Sequence, residues 1–196
     1  LVALRGDLPP DHVRPADSPA HASDLVALLR EEGVREISVA AFPEGHPESA
    51  FDVRREVENL KRKEAAGATQ ALTQFTFDNE LLLRFIDLAR AAGVTIPIVP
   101  GILPVTDVAQ TRRFAATVGA TVPRWIDRLL DGLDDDPATR DLVAAAIVAE
   151  QCADLATHGV RHVHFYTLNR PALTYAVCRL IGVRTPWSPA PVEPAT

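Results

Sequence analysis

The chain has 196 residues, 47% of them hydrophobic and 23% charged, the balance of one soluble globular domain with a sizeable core. A net charge of −6 provides no domain-wide basic field to replace counterions. That disfavours nucleic acid as a partner but leaves room for a small anionic ligand gripped by local cations. No apolar run approaches the length of a membrane span, and Cys152 and Cys178, which lack metal-ligand spacing, read as buried free thiols of a cytoplasmic protein.

In chain order, "LVALRG" reads as a strand, followed by a loop with prolines at 9, 10, 15 and 19. No methionine precedes that strand, so residues belonging before it are expected to be absent. Ser23 is placed to cap a helix with Leu25, Val26, Leu28 and Leu29 on its apolar face and a stop at Gly33. "EISVAAF" is the second strand, "PEGHPES" a loop, and a helix from about Ala50 carries Val53, Val57 and Leu60 to Gly67. "QALTQFTF" is the third strand, with Asp78 capping "NELLLRFIDLARAAG", and "IPIVPGI" is the fourth. Helical segments follow around Val108 and Phe114, then around Trp125 and Leu129. Asp136-Pro137 opens an alanine-rich helix to Gly159, "HVHFYTL" is the last strand, and Pro171 opens a helix to Gly182.

Strands alternating with helices mean parallel βαβ units, and two architectures fit: an open doubly wound sheet or a (β/α)8 barrel. No GxGxxG or Walker loop follows any strand, which weakens the dinucleotide-fold reading. In both architectures ligands bind beyond the carboxyl ends of the strands. Those ends carry Arg5-Gly6-Asp7, Glu44 and His46, Thr73 and Gln74, Gly101 and Pro104, then Tyr166, Asn169 and Arg170. Polar groups at every end exceed what helix capping requires. Bland readings exist for each: a local Arg5–Asp7 ion pair, packed histidines at 162 and 164, a helix C-terminal charge cluster at "KRK" (61–63). His46 has no HExxH-type spacing, so no metal is expected. Gln74 is the odd residue, a glutamine inside an apolar strand, which must satisfy a neighbour or face a ligand.

The stretches "ALRGDLP", "ISVAAFPEGHPES", "NLKRKEAAGATQALTQFTFD", "IPIVPGILPV", "DGLDDD" and "HFYTLNRP" together resemble the methylenetetrahydrofolate reductase family, in order and at its spacing up to about Val183. The resemblance implies an α/β fold, a (β/α)8 TIM barrel holding FAD. In that family a hydride passes from NADH or NADPH to 5,10-methylenetetrahydrofolate, giving 5-methyltetrahydrofolate for one-carbon metabolism and methionine supply. It also implies a homo-oligomer. Residues 1–183 then correspond to the C-terminal part of the barrel, about strands 4 to 8, and 184–196 to a disordered proline-rich tail. The family's general-acid glutamate, on the first strand, falls outside this chain. By itself the chain is therefore expected to lack activity and, with its outer strands uncovered, to aggregate.

By the same resemblance, Arg5, Gly6 and Asp7 match the loop against the flavin. Asp7 is the catalytic candidate: it sits beside the pyrimidine side of the isoalloxazine, disfavours the anionic reduced flavin, and faces the folate. Ala22, Phe42, His46, Glu56, Asn59, Arg62 and Lys63 match flavin-contacting positions, with the two cations on the pyrophosphate. Phe42 replaces a common tyrosine, and Glu56 a common aspartate. Gln74 matches the pterin reader, Gln110 and Phe114 the helix over the flavin, and Arg170 an arginine near the folate. Ala68 matches a position where bulk would disturb packing on the flavin side. Lys63 poses a geometric problem, because it lies several turns inside a helix that begins near Ala50. The alternatives are a truncated, non-catalytic flavin- or folate-binding remnant, and a flavin-free barrel lyase using Asp7 and His46 as acid and base.

Overall fold

The computed structural model describes residues 1–6, 13, 15 and 18–184. Asp7 and residues 185–196, which include all but the first residue of the expected tail, lie outside the described residues. Five strands pair in parallel: β1 (Val2–Ala3), β2 (Ser38–Ala41), β3 (Gln70–Phe75), β4 (Ile98–Ile102) and β5 (His164–Phe165). Their spatial order follows the chain, β1-β2-β3-β4-β5, with every neighbouring pair parallel. A doubly wound sheet must reverse its strand order to cover both faces. Steps that always advance in one direction, with right-handed crossovers, keep the helices on one face and leave the other to curl inward. The architecture is α/β, and the sheet has the order of an incomplete (β/α)8 barrel.

The helices are α1 (Ala22–Glu31), α2 (Val53–Ala65), α3 (Asn79–Ala91), α4 (Val108–Val118), α5 (Arg124–Leu130), α6 (Pro137–Thr157) and α7 (Pro171–Leu180). Ala3, Val39, Ala41 and Ala71 project from alternate strand positions into a core with Val26, Val57, Leu60, Phe85 and Ala89. Ser38 and Gln70 are among the intervening positions, and Gln70 Nε2 donates to Ser38 Oγ at 2.7 Å. Two further clusters complete the interior. One packs α6 and α7 against Leu82 and Ile102, and the other gathers Phe75, Leu103, Val105 and Ile126 near α4 and α5. Cys152 belongs to the first of these, and burial, with a smaller contribution from Cys178, pushes its thiol up to about 11.

Several boundaries differ from the sequence expectation, three of them with a visible local cause or consequence. α1 is capped by His21, not Ser23, because the Asp24 carboxylate accepts from the His21 N–H at 2.8 Å and pulls the start two residues earlier. α2 begins at Val53 rather than near Ala50. Ala50 and Phe51 are both left-handed, at φ 55° and 59°, and Asp52 takes the Arg54 N–H at 2.9 Å as the cap. Gly45 makes that turn possible, since a Cβ there would fall 2.5 Å from the Phe51 backbone. The last strand pairs only at His164–Phe165, and the following Leu168 and Asn169 are again left-handed.

Candidate active site

Beyond the carboxyl ends of the first three strands lies a cavity of about 790 Å³, a size typical of cofactor sites. The end of β1 supplies Arg5 and Gly6. Arg5 is held on both sides: Nη2 meets Glu48 Oε1 at 2.5 Å, and Nη1 donates to Ala20 O at 3.3 Å. Those contacts tie β1 to the approach to α1 and to the single 3-10 turn at Pro47–Ser49. The amino end of α1 opens onto the same space with Ala22, which brings unsatisfied backbone N–H groups and a partial positive charge to the cavity wall.

The exit from β2 contributes Phe42 and His46, whose rings pack with centroids 4.7 Å apart. His46 Nδ1 accepts from the Glu48 N–H at 3.2 Å and so caps the 3-10 turn. An acid–base role for His46 would have to break this cap. Glu44, also among the strand-end residues, accepts from the Thr121 N–H at 3.0 Å and fastens the loop to the segment after α4.

One face of α2 provides Glu56, Asn59, Arg62 and Lys63, spaced to fall on one side of a 3.6-residue helix. Asn59 Nδ2 reaches Glu56 Oε1 at 3.4 Å, and Arg62 donates to Asn59 Oδ1. Glu56 is a carboxylate only 4% exposed. Lys63 resolves its own geometric problem. The helix starts three residues later than expected, and the side chain runs back toward the helix amino end, as helical side chains do. Its Nζ donates to Ala40 O at 2.8 Å and lies 5.7 Å from the Phe42 ring centre. Burial lowers the Lys63 pKa, Glu56 opposes that, and Arg62 and Arg5 lower it further. Five arginines and lysines line the cavity against three glutamates, a local excess of positive charge in an acidic chain.

Gln74 lines the cavity from β3, with Oε1 accepting from the Phe75 N–H at 3.0 Å. The other three expected ligand residues are placed differently. Gln110 and Phe114 share a face of α4 with Thr117 and Val118, and only the latter two reach the cavity wall. Phe114 instead stacks on Phe75, with centroids 5.4 Å apart, and Gln110 is exposed. Arg170 donates to Thr106 Oγ1 and lies 3.5 Å from Asp141 Oδ2, bridging the loop before α4 to α6. Ala68 is buried in the core under α1 and α2, outside the cavity. Glu48, which no motif singles out, and Tyr166, marked only by its place at a strand end, also line the wall. The signal for Tyr166 was that position, but its contact is to Thr73, 93 residues away.

Among the described residues no helix is long and apolar enough to cross a membrane. The family model described as methylenetetrahydrofolate reductase matches residues 1–182. The chain is 49% identical to the 5,10-methylenetetrahydrofolate reductase of Escherichia coli (strain K12) over 184 residues, 94% of this chain and 61% of the relative. It is 40% identical to the enzyme of the same name from Buchnera aphidicola subsp. Acyrthosiphon pisum over 183 residues, 93% and 61% of the two chains. The chain thus spans 61% of the length of these curated relatives. A solved structure titled as an uncharacterized protein from Clostridium thermocellum that binds two copies of 5-methyl-5,6,7,8-tetrahydrofolic acid shares the fold, at TM-score 0.51 and 18% identity, over 81% of this chain and 57% of that one. With a family match over nearly its whole length, the chain belongs to the methylenetetrahydrofolate reductase family.

Proposed function

We infer that these residues form the flavin- and folate-binding part of an enzyme that reduces 5,10-methylenetetrahydrofolate to 5-methyltetrahydrofolate with NADH or NADPH, and that β1 to β5 are strands 4 to 8 of its barrel. The observation that carries this reading is convergence. Every described position expected to touch the flavin, drawn from β1, α1, the exit of β2 and α2, meets Gln74 in one cavity. The whole protein is proposed to work as a cytoplasmic homo-oligomer in one-carbon metabolism, on the path that supplies methionine.

The donor set suits an anionic dinucleotide. Arg62, Lys63 and the amino end of α1 would hold the diphosphate of FAD, a charge-assisted grip in a partly desolvated site. Glu56 can only accept hydrogen bonds, which suits hydroxyl groups of the sugar chain. Phe42 and His46 offer flat surfaces at the exit of β2. Bound FAD would supply the hydride relay between the nicotinamide nucleotide and the methylene carbon. Asp7, next along the chain from Gly6, would place a fixed negative charge beside the flavin pyrimidine and face the folate. Gln74 would hold the pterin, and Gln110, Phe114 and Arg170 would take the rest of the folate once their present contacts rearrange.

The test is anaerobic half-reaction spectroscopy on the intact protein. We expect visible flavin bands that bleach with NADH or NADPH and return when methylenetetrahydrofolate is added. A colourless protein, or one whose reduced flavin ignores the folate, would overturn the reading.

A further inference from the structure

β3 contains an irregularity beside the cavity. Leu72 pairs with Val99 and Phe75 with Gly101, so three residue steps on β3 face two on β4. Such a bulge takes backbone groups out of the regular ladder and re-aims nearby side chains. Here three backbone groups at the bulge are held by side chains. The Gly101 N–H donates to Thr73 Oγ1 at 2.8 Å, and Thr73 is fully buried. Tyr166 Oη donates to the Thr73 carbonyl at 3.0 Å. The Phe75 N–H donates to Gln74 Oε1 at 3.0 Å.

The last bond fixes the orientation of the carboxamide, because a backbone N–H can bond only to its oxygen. Oε1 is turned to the strand, which leaves the Nε2 hydrogens for the cavity that Gln74 lines. Gly101 completes the arrangement. A Cβ there would come within 2.3 Å of the Thr73 carbonyl and 2.6 Å of Tyr166 Cε2, so the ring can lie over the strand only because residue 101 has no side chain.

We propose that Tyr166 and Thr73 are positioning residues for Gln74: by pinning the bulge they hold its carboxamide with the NH2 toward the ligand. The ligand atom met at this point is therefore a hydrogen-bond acceptor, a lactam carbonyl oxygen or a ring imine nitrogen, and not an amino group. The ligand's identity as a folate rests on the proposed function; the orientation of Gln74 does not.

The test uses Tyr166→Phe, Gln74→Ala and the double variant in the intact protein, with Tyr175→Phe, an exposed tyrosine on α7, as the matched control. Tyr166→Phe removes one hydroxyl, and we expect the KM for methylenetetrahydrofolate to rise roughly three- to tenfold, the range of one hydrogen bond's net worth. The flavin spectrum and the KM for the nicotinamide nucleotide stay unchanged, and in the Gln74→Ala background the Tyr166→Phe effect disappears. Equal losses for all three ligands, or an effect that simply adds to that of Gln74→Ala, would overturn the proposal. Side-chain amide NMR judges the clamp without any folate. The Gln74 NH2 pair should be ordered in the native protein and averaged in Tyr166→Phe, whereas identical signals in both would overturn it. A native protein that binds no folate but passes the NMR test refutes the proposed function and leaves the clamp standing.

Discussion

Lys63 and Glu64 are consecutive residues near the end of α2, yet they serve opposite ends of the sheet. Lys63 runs up to the cavity and touches Ala40 O. Glu64 turns down to the loop before β4, where it accepts from the Thr95 N–H and hydroxyl and from the Ile96 N–H. The same division holds elsewhere. At the lower end Arg30 donates to Gly67, Val34 and Arg35 carbonyls, and Arg90 to those of Val94 and Ile96. These charges are each bonded to several groups of the loop backbone. Around the cavity, Glu56 is buried with one long bond from Asn59, and Lys63 has its pKa lowered first of all by burial. Charges bonded to loop backbone gather at one end of the sheet, and the buried, less fully bonded ones line the cavity at the other.

Lys63→Met is the sharpest way to break this contrast. It keeps the stem and removes a desolvated charge, so flavin affinity should fall by about 2–4 kcal/mol while the flavin-free protein keeps or gains thermal stability. Flavin titration and thermal melts read the two effects separately, and a parallel loss of both would assign Lys63 to the fold. Next in size, Gln74→Ala should weaken folate by about 1–3 kcal/mol and leave flavin binding intact. Titration with each ligand checks it. Glu64→Gln should do the reverse, lowering stability to denaturant by about 1 kcal/mol with no change in flavin affinity.

The Glu64 effect also has a pH signature. Burial raises its pKa, but the hydrogen bonds from the Thr95 side chain, then from the backbone of Thr95 and Ile96, and the charge of Arg90 outweigh that and leave it below its ordinary 4.5. A depressed carboxylate stabilises the fold above its unfolded pKa and loses that contribution as pH falls through the folded value. Denaturation curves of native protein and Glu64→Gln should therefore differ at neutral pH and converge in acid. A gap that persists at the lowest pH would show that the ionised carboxylate is not the stabilising form.

The alternation of strands and helices was legible because each helix carries a cap or stop that acts locally: Asp78, Asp136-Pro137, Gly33. Strand order was not, since nothing local in a βαβ unit says which neighbour it joins. The start of α2 was misplaced because a left-handed Ala50-Phe51 pair carries no glycine to announce it. The bulge in β3 was invisible for a similar reason, as Thr73 and Gln74 continue the period-two pattern through it. At the site, Gln74 and the described positions matched to the flavin line one cavity, together with Glu48, which no motif singles out. Sequence position could not tell that Phe114 leans on Phe75 or that Arg170 is engaged with Thr106 and Asp141.

Cys152, on the buried face of α6 in the core shared with α7 and with its thiol pushed up to about 11, has a practical consequence. At neutral pH it presents almost no thiolate and is only 6% exposed, so its alkylation depends on local opening of the packing around it. Its labelling rate is thus a clock for local opening toward the other edge of the sheet from α1 and α2. Run with and without flavin, that clock reports whether filling the cavity stiffens that packing.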